Sequence, residues 1–278
     1  MFFLTLVSFI WAFSFGIIGN TLAGVPSAFT SAARLLLAFL LFAPFLRPAP
    51  WRFVLVCMSL GAVQFGGMYL AYNEAFKHLA SHQVALLTIT TPLWIGVLEA
   101  TRGRFSPRLW QAAALATVGT GLCAWKPGAF PLAGVLLLQL SNICFAFGQW
   151  FYRGRMTDRS DTSVFSWMYL GGFLATLPLA LPHLHLLPGL GAQEIKALCY
   201  LGLIASGLCF FLWNLGVRRV PAARMAVMND LKIPLGVLAS VFIFKEQPSW
   251  PRLMVGGILL VAAMWLGGAK HGQEDKKT

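Results

Sequence analysis

The amino-acid sequence predicts an all-α integral membrane protein with ten transmembrane helices, arranged as two inverted five-helix repeats. Three observations support this prediction: the apolar composition, the spacing of the apolar segments, and motifs that recur in the two halves. Of the 278 residues, 58% are hydrophobic and 11% are charged, and the mean hydropathy is +0.72. Soluble domains are about 25% charged. The chain therefore has too little polar surface for a water-facing globule, which excludes a soluble enzyme, a disordered protein and a fibrous repeat.

Short stretches that contain charges, prolines and glycines divide the chain into apolar segments. A helix needs about 20 apolar residues to cross the hydrocarbon core of a bilayer. Ten segments approach this length, at 2–20, 28–46, 53–73, 83–100, 108–125, 132–152, 163–181, 196–216, 223–244 and 251–268. Because the connections between these segments are short, we expect no soluble domain.

The positive charges indicate how the helices are oriented. The net charge is +12, from 21 Lys and Arg against 9 Asp and Glu. With a cytoplasmic N-terminus, fourteen cations fall in cytoplasmic segments: Arg47, Arg52, Arg102, Arg104, Arg108, Arg153, Arg155, Arg159, Arg218, Arg219, Arg224, Lys270, Lys276 and Lys277. Five fall outside: Lys77, Lys126, Lys196, Lys245 and Arg252. Since Lys and Arg accumulate in cytoplasmic loops, we predict that both termini are cytoplasmic. The positive excess then indicates topology and not a nucleic-acid partner.

Motifs recur in the same order in the two halves of the chain. The matched pairs are Phe13-Ser-Phe-Gly16 with Phe145-Ala-Phe-Gly148, Tyr72-Asn73 with Trp213-Asn214, and Pro92 with Pro234. Because each half has an odd number of segments, the second half would enter the membrane inverted, as in many secondary transporters. We expect the first five-helix repeat at 1–127, the second at 128–269, and a disordered cytoplasmic tail at 270–278.

The sequence resembles a known family of membrane proteins. Trp11-Ala-Phe-Ser-Phe15 in the first segment and Arg34 in the second are similar to the EamA-type drug/metabolite transporters. Further blocks, Leu138-Gln-Leu-Ser-Asn142, Trp213-Asn214 and Gln247-Pro-Ser-Trp-Pro251, resemble the bacterial biotin transporters of that family. The resemblance implies secondary active uptake of biotin across the cytoplasmic (inner) membrane of a bacterium, by alternating access. Asp230-Leu-Lys232 carries two charges where neutral side chains are expected, which leaves a differently charged substrate open.

Three charged residues fall inside the apolar segments, namely Arg34, Asp230 and Lys232. Each such charge costs about 2.5–3.5 kcal/mol on insertion scales, so it needs a partner or a wet cavity. One interpretation makes Arg34 or Lys232 the cation for a substrate carboxylate and Asp230 the coupling group. The other makes them structural, with Arg34 bonded to helix-end carbonyls or to a carboxylate, and Asp230 and Lys232 paired with Arg34 or with a helix end.

Biotin needs a cation for its carboxylate, amide groups for its ureido ring, and flat apolar walls. Amide side chains offer both donors and acceptors, and prolines free backbone carbonyls within a helix. The predicted helix breaks are Pro92 and Pro234. The predicted substrate-binding residues are Trp11, Arg34, Tyr69, Asn73, Trp94, Asn142, Trp213, Asn214, Asn229 and Lys232.

The sequence shows no phosphate-binding loop, no catalytic triad and no metal-ligand cluster. We therefore expect no enzyme activity, no cofactor and no metal. The expected partners are a small-molecule substrate (biotin or a similar carboxylate) and the lipid bilayer, and the sequence does not indicate an oligomeric state. Two other functions stay open: an exporter of amino acids or related metabolites, and a non-transporting membrane subunit.

Overall fold

The computed structural model describes residues 2–103, 106–124, 130–156, 160–220, 222–235 and 250–268, and these contain helices and no strand. The predicted tail at 270–278 lies outside these residues. In chain order the helices are α1 (Phe2–Gly16), α2 (Ser27–Phe42), α3 (Trp51–Gly61), α4 (Met68–Ala75), α5 (Ser81–Thr88), α6 (Thr91–Thr101), α7 (Pro107–Ala124), α8 (Leu132–Arg155), α9 (Asp161–Ala180), α10 (Ala192–Cys199), α11 (Cys209–Val217), α12 (Ala222–Asp230) and α13 (Trp250–Gly268).

Helices of membrane-spanning length dominate the fold. Seven helical stretches of the described residues are long and apolar enough to cross a membrane: Phe2–Thr21, Ser27–Phe45, Trp51–Ala75, Gln83–Thr101, Leu132–Arg155, Asp161–Gly189 and Ala192–Val217. A shorter apolar stretch covers Trp250–Leu266. The chain is therefore an all-helical, multi-pass membrane protein. The predicted segment at 223–244 extends beyond the described residues, which stop at 235 and resume at 250.

Two of the long helices widen in their middle into π-helical turns. Ala62–Gly67 joins α3 to α4, and Tyr200–Leu208 joins α10 to α11. A third π-helical turn, Ile17–Thr21, ends α1. Such turns leave part of the backbone ladder irregular and are frequent at functional sites.

Glycines let α3 and α9 touch along their backbones. A Cβ atom on Gly61 would lie 1.8 Å from the carbonyl oxygen of Met168, and one on Gly171 would lie 2.2 Å from that of Met58. No side chain fits at either position. Close contact through small residues is a main source of helix association in a bilayer, where the solvent is as apolar as leucine.

Arginine contacts define one end of the helix bundle, which we call the arginine end. The Arg102 guanidinium lies 3.7 Å from the Trp150 ring centroid, and Arg153 donates to the carbonyl of Val220 at 3.0 Å. Arg218, just after α11, forms an ion pair of 2.5 Å with Asp161, the first residue of α9. These contacts tie the ends of α6, α8 and α11 to the start of α9.

The opposite end of the bundle, which we call the Glu74 end, has one described ion pair. Glu74 accepts a hydrogen bond from Ser27 and pairs with Lys77 at 2.8 Å. The contact brings the last turn of α4 to the start of α2. Successive membrane-length helices thus run alternately between the two ends.

A row of aromatic rings, which we call the aromatic column, runs through the bundle toward the arginine end. Phe210 contacts Phe65 with ring centroids 5.2 Å apart, Phe65 contacts Phe165 at 6.0 Å, and Phe165 contacts Tyr152 at 5.4 Å. The Tyr152 hydroxyl donates to Asp161. The column therefore ends on the ion pair between Asp161 and Arg218.

Candidate functional site

A cavity of about 80 Å³ lies inside the bundle, where α1, α2, α4, α5, α6, α8 and α11 meet. The residues that line it are Trp11, Ser14, Phe15, Arg34, Met68, Tyr69, Tyr72, Thr88, Thr91, Ser141, Asn142, Phe145, Phe210 and Lys232. Seven of these fourteen residues are aromatic or Met, five are neutral and polar, and two are cations.

Arg34 is held in the cavity wall by neutral partners. Its Nε donates to the hydroxyl of Ser206 at 3.1 Å, and Nη1 donates to Oδ1 of Asn73 at 3.5 Å. The guanidinium also lies 4.0 Å from the centroid of the Tyr69 ring. Asn73 is itself fixed, since its amide donates to Ser31 at 2.8 Å. Because a guanidinium has five N–H donors, others remain for a ligand.

Lys232 enters the cavity from the segment after α12. Its ammonium donates to Oδ1 of Asn229 at 3.1 Å. It also lies 5.4 Å from the ring centroid of Trp11 and 5.8 Å from that of Phe145. A lysine has three donors, so one hydrogen bond leaves its charge and two donors available to a ligand.

Neither cation of the cavity forms a contact ion pair with an acid in the part of the chain that the structure describes, although the Asp230 carboxylate lies near enough to Lys232 for their charges to interact. The nearest acid in sequence, Asp230, is fully buried. Its Oδ1 accepts from Asn229 at 3.4 Å, and its Oδ2 has no hydrogen-bond partner among the described residues. Buried charges are costly unless they are paired, so the geometry favours an anionic ligand between Arg34 and Lys232.

Trp11 forms the flat apolar side of the cavity. Its indole nitrogen donates to the carbonyl of Ala205 at 2.8 Å, which fixes the plane of the ring. Phe210 and Trp213 pack against it, with ring centroids 4.8 and 5.2 Å away. Trp11 therefore offers a rigid ring for a ligand to stack on, and Trp213 supports it from behind.

The helix break between α5 and α6 forms another side of the cavity. Pro92 has no N–H, so the carbonyls of the preceding turn need other donors. Thr91 donates its hydroxyl to the carbonyl of Thr88 at 2.8 Å, and the Asn142 amide donates to the carbonyl of Leu87 at 3.0 Å. α12 ends similarly at Asp230, before Pro234, with a turn at Leu231.

Five of the ten predicted substrate-binding residues line the cavity: Trp11, Arg34, Tyr69, Asn142 and Lys232. Asn73 and Asn229 lie behind the wall, where they bind Arg34 and Lys232. Trp94 donates to Gln139 instead, at 2.9 Å. Trp213 and Asn214 are fully buried, and the Asn214 amide donates to the carbonyl of Phe210 at 2.8 Å.

Nine residues of the wall were not selected from the sequence: Ser14, Phe15, Met68, Tyr72, Thr88, Thr91, Ser141, Phe145 and Phe210. Some of them are polar residues that lie close in sequence to a predicted site residue or helix break, and this proximity could have indicated them. Ser14 lies one turn after Trp11, Ser141 precedes Asn142, and the two threonines lie just before Pro92. The aromatic and Met residues carry no such signal, because every face of these helices is apolar.

The fold and the site together define a class of protein: a multi-pass membrane protein whose helices enclose a small-molecule cavity beside broken helices, as secondary transporters do. The EamA-like transporter family profile matches residues 1–124 and 132–268. The chain therefore belongs to the EamA-like transporter family and is a membrane transporter.

Curated relatives cover almost the whole chain. The biotin transporter of Salmonella typhimurium is 35% identical over 273 residues, which is 95% of this chain and 91% of the relative. The biotin transporter of Escherichia coli (strain K12) is 34% identical with the same coverage. A protein of Pseudomonas aeruginosa named "Probable biotin transporter" is 36% identical over 280 residues, 95% of this chain and 96% of the relative.

A solved crystal structure supports the fold as a whole. It superposes with a TM-score of 0.74 and covers 96% of this chain and 95% of its own. The two sequences are 18% identical, so this likeness shows the fold alone.

Proposed function

We propose that this protein imports biotin across the cytoplasmic membrane by alternating access around the cavity. The observation that carries the proposal is the pair of cations, Arg34 and Lys232, which line one cavity with aromatic walls and form no contact ion pair among the described residues. A carboxylate placed between them would compensate both charges. The biotin transporters that resemble the chain over 95% of its length make biotin the first ligand to test.

Each chemical group of biotin has a counterpart in the cavity. Its carboxylate would bind Lys232 and Arg34 through charge-assisted hydrogen bonds, which are stronger than neutral ones. Its fused rings would stack on Trp11, beside Phe145 and Phe210. Its ureido group would reach Asn142 at the break between α5 and α6. Asn73 and Asn229 would act by holding the two cations in place.

We assign coupling to Asp230. Its carboxylate lies at the end of α12, two residues from Lys232, and Oδ2 has no partner among the described residues. A proton bound there would neutralise one charge next to the substrate cation. A group that gains and loses a proton in this position links substrate binding to a proton gradient, as intramembrane acids do in other transporters.

We also propose that the chain has ten transmembrane helices in two inverted repeats, at 1–127 and 128–269. The packing supports a two-fold relation between the halves. α2 packs on its counterpart α9, and α7 packs on its counterpart α13. The contact of α3 with α9 matches that of the 200–208 turn with α2, and the contact of α4 with α8 matches that of α11 with α1. The two separate matches of the family profile agree with this division.

The two ends of the bundle differ in charge, and this supports an orientation. Arg102, Arg153 and Arg218 meet at the arginine end, whereas Glu74 and Lys77 meet at the other. Arginine-rich segments stay in the cytoplasm. We therefore propose that the arginine end, and with it both termini, faces the cytoplasm of a bacterium.

Uptake of labelled biotin by a biotin auxotroph that lacks its own carrier tests the function. Expression of the chain should restore growth on trace biotin and give saturable uptake. Lys232→Ala and Arg34→Ala should each abolish uptake, and Lys196→Ala, at an exposed lysine outside the cavity, should leave it unchanged. Absence of uptake at normal membrane abundance would overturn the proposal, and so would full uptake by either cavity variant.

A further inference from the structure

The chemistry of the α5–α6 break fixes the orientation of Asn142. One atom of its side-chain amide lies 3.0 Å from the carbonyl oxygen of Leu87. A backbone carbonyl can only accept, so this atom must be the nitrogen. The same nitrogen lies 3.1 Å from the hydroxyl oxygen of Thr90. Both N–H donors of Asn142 are therefore used within the protein.

The remaining polar atom of Asn142 is its carbonyl oxygen. Asn142 lines the cavity, and both of the hydrogen bonds described above involve its nitrogen and not Oδ1. An amide oxygen has two lone pairs and no hydrogen. Toward a ligand, Asn142 can thus act as an acceptor and not as a donor.

The two threonines of this wall are restricted in the same way. The hydroxyl of Thr88 donates to the carbonyl of Ala85 at 2.7 Å, and the hydroxyl of Thr91 donates to that of Thr88 at 2.8 Å. A hydroxyl has one hydrogen, so each has only lone pairs left to offer. We call Asn142, Thr88 and Thr91 the acceptor wall.

Gln139 holds the acceptor wall from outside the cavity. Its side chain lies 2.9 Å from the indole nitrogen of Trp94, which only donates, so the contacting atom is Oε1. The same oxygen lies 2.9 Å from the hydroxyl of Thr90, the residue that Asn142 also contacts. Gln139 thus bridges the start of α6 and the turn before it, and it lies one helical turn from Asn142 on α8.

We propose that the acceptor wall selects ligands that carry N–H donors, with Asn142 as the specificity-determining residue and Gln139 as its positioning residue. The cavity is then polarised, with cations on one side and acceptors on the other. Its ligand class is a carboxylate that bears amide or ureido N–H groups at its other end. A ligand with only acceptors at that end would leave buried oxygens facing one another, which is costly. This inference rests on the proposed function and adds to it the group that is recognised.

Competition against labelled biotin tests the wall. The probes are biotin methylated on both ureido nitrogens, which has no N–H, and oxybiotin, in which oxygen replaces the ring sulfur and both N–H groups remain. We expect the methylated compound to compete at least tenfold more weakly than biotin, because sites built for hydrogen bonds reject ligands that lack them. Oxybiotin should compete nearly as well as biotin. Equal competition by all three compounds would overturn the inference.

Variants of Asn142 separate the effect of its hydrogen-bond acceptor from the effect of its side-chain volume. Asn142→Leu keeps the volume but removes the acceptor, so biotin should bind about tenfold more weakly while the methylated compound is unaffected. Asn142→Asp keeps acceptor oxygens but loses the N–H group that binds the carbonyl of Leu87. It should therefore retain more of the preference for biotin over the methylated compound than Asn142→Leu does. If Asn142 acted only by donating to the carbonyl of Leu87, both variants would lose the preference for biotin over the methylated compound to the same extent. Membrane abundance is measured for each variant.

Gln139→Leu tests positioning. It should raise KM for biotin about threefold and lower the preference over the methylated compound, with the maximal rate unchanged. Gln193→Leu, at an exposed glutamine at the start of α10, should change neither. If the transport rate fell equally for all compounds and the preference for biotin over the methylated compound stayed the same, Gln139 would not be a positioning residue for Asn142. If biotin is not transported at all, the proposed function fails, whereas transport without the preference overturns only the acceptor wall.

Discussion

Arg218 and Asp161 form an ion pair of 2.5 Å that joins the end of α11 to the start of α9. Tyr152 on α8 donates to the same carboxylate, and the Arg218 guanidinium lies 4.4 Å from the Tyr152 ring centroid. Three helices thus meet in one contact at the arginine end. The aromatic column separates this contact from the cavity, so the arginine end is closed in this conformation.

Asp161→Asn should favour the conformation that is open at the arginine end. An amide cannot pair with the charge of Arg218, and a loss of about 1 kcal/mol from a partly exposed pair shifts a two-state equilibrium about fivefold. A cysteine placed at Gln149, which is fully buried one turn before Tyr152, reports the opening. Its labelling by a water-soluble thiol reagent should rise several-fold in the Asp161→Asn chain. Equal labelling, or a matching rise in a Glu194→Gln control, would contradict the assignment.

Arg34→Lys should impair uptake even though it keeps the charge. An ammonium is a compact point charge without the planar fork of arginine. It cannot hold Ser206 and Asn73 and stack on Tyr69 while it binds a substrate carboxylate. We expect KM for biotin to rise about tenfold in transport assays with normal membrane abundance. An unchanged KM would mean that the charge of residue 34 matters but its geometry does not.

Asp230→Asn should allow exchange of biotin across the membrane but prevent its accumulation against a gradient. An amide does not bind a proton as a carboxylate does, so coupling to a proton gradient should be lost. In vesicles loaded with biotin, counterflow of labelled biotin should continue, while uptake driven by an imposed pH gradient should fall to the level without a gradient. Gradient-driven accumulation by this variant would rule out Asp230 as the coupling group.

Gly61→Ala should destabilise the helix bundle. The added methyl would lie 1.8 Å from the carbonyl oxygen of Met168, so α3 and α9 must move apart. Overpacking of this kind costs about 1–3 kcal/mol or more. Gly257→Ala is the matched control, since nothing lies within 4 Å of its added Cβ. In detergent, thermal unfolding of Gly61→Ala should begin at a lower temperature than that of the control, and equal curves would argue against the close contact.

The sequence predicted the class of fold well because hydropathy and length decide membrane insertion. The helices near 2–20, 28–46 and 132–152 correspond to α1, α2 and α8, although α8 continues to Arg155. The π-helical turns at 62–67 and 200–208 could not be predicted, since their register depends on the neighbouring helices and not on local propensity.

The site was harder to predict for a related physical reason. Charges and prolines within apolar segments pointed to Arg34, Lys232 and Pro92, because these residues are costly there unless something compensates them. Rotation of the helices decides which of the many aromatic residues face the cavity. Trp94 and Trp213 look equivalent to Trp11 in sequence, yet only Trp11 lines the cavity.

The aromatic column has a consequence for energy conservation. Between Phe210 and Tyr152 the faces of its rings offer water molecules no hydrogen-bond partners, so the column itself does not supply a chain of hydrogen bonds from the cavity to the arginine end. A proton-driven importer that let protons slip past without substrate would dissipate the gradient it uses. For the proton-coupled import proposed above, the rings between the cavity and the arginine end would therefore limit proton leak as well as the passage of biotin in the conformation described.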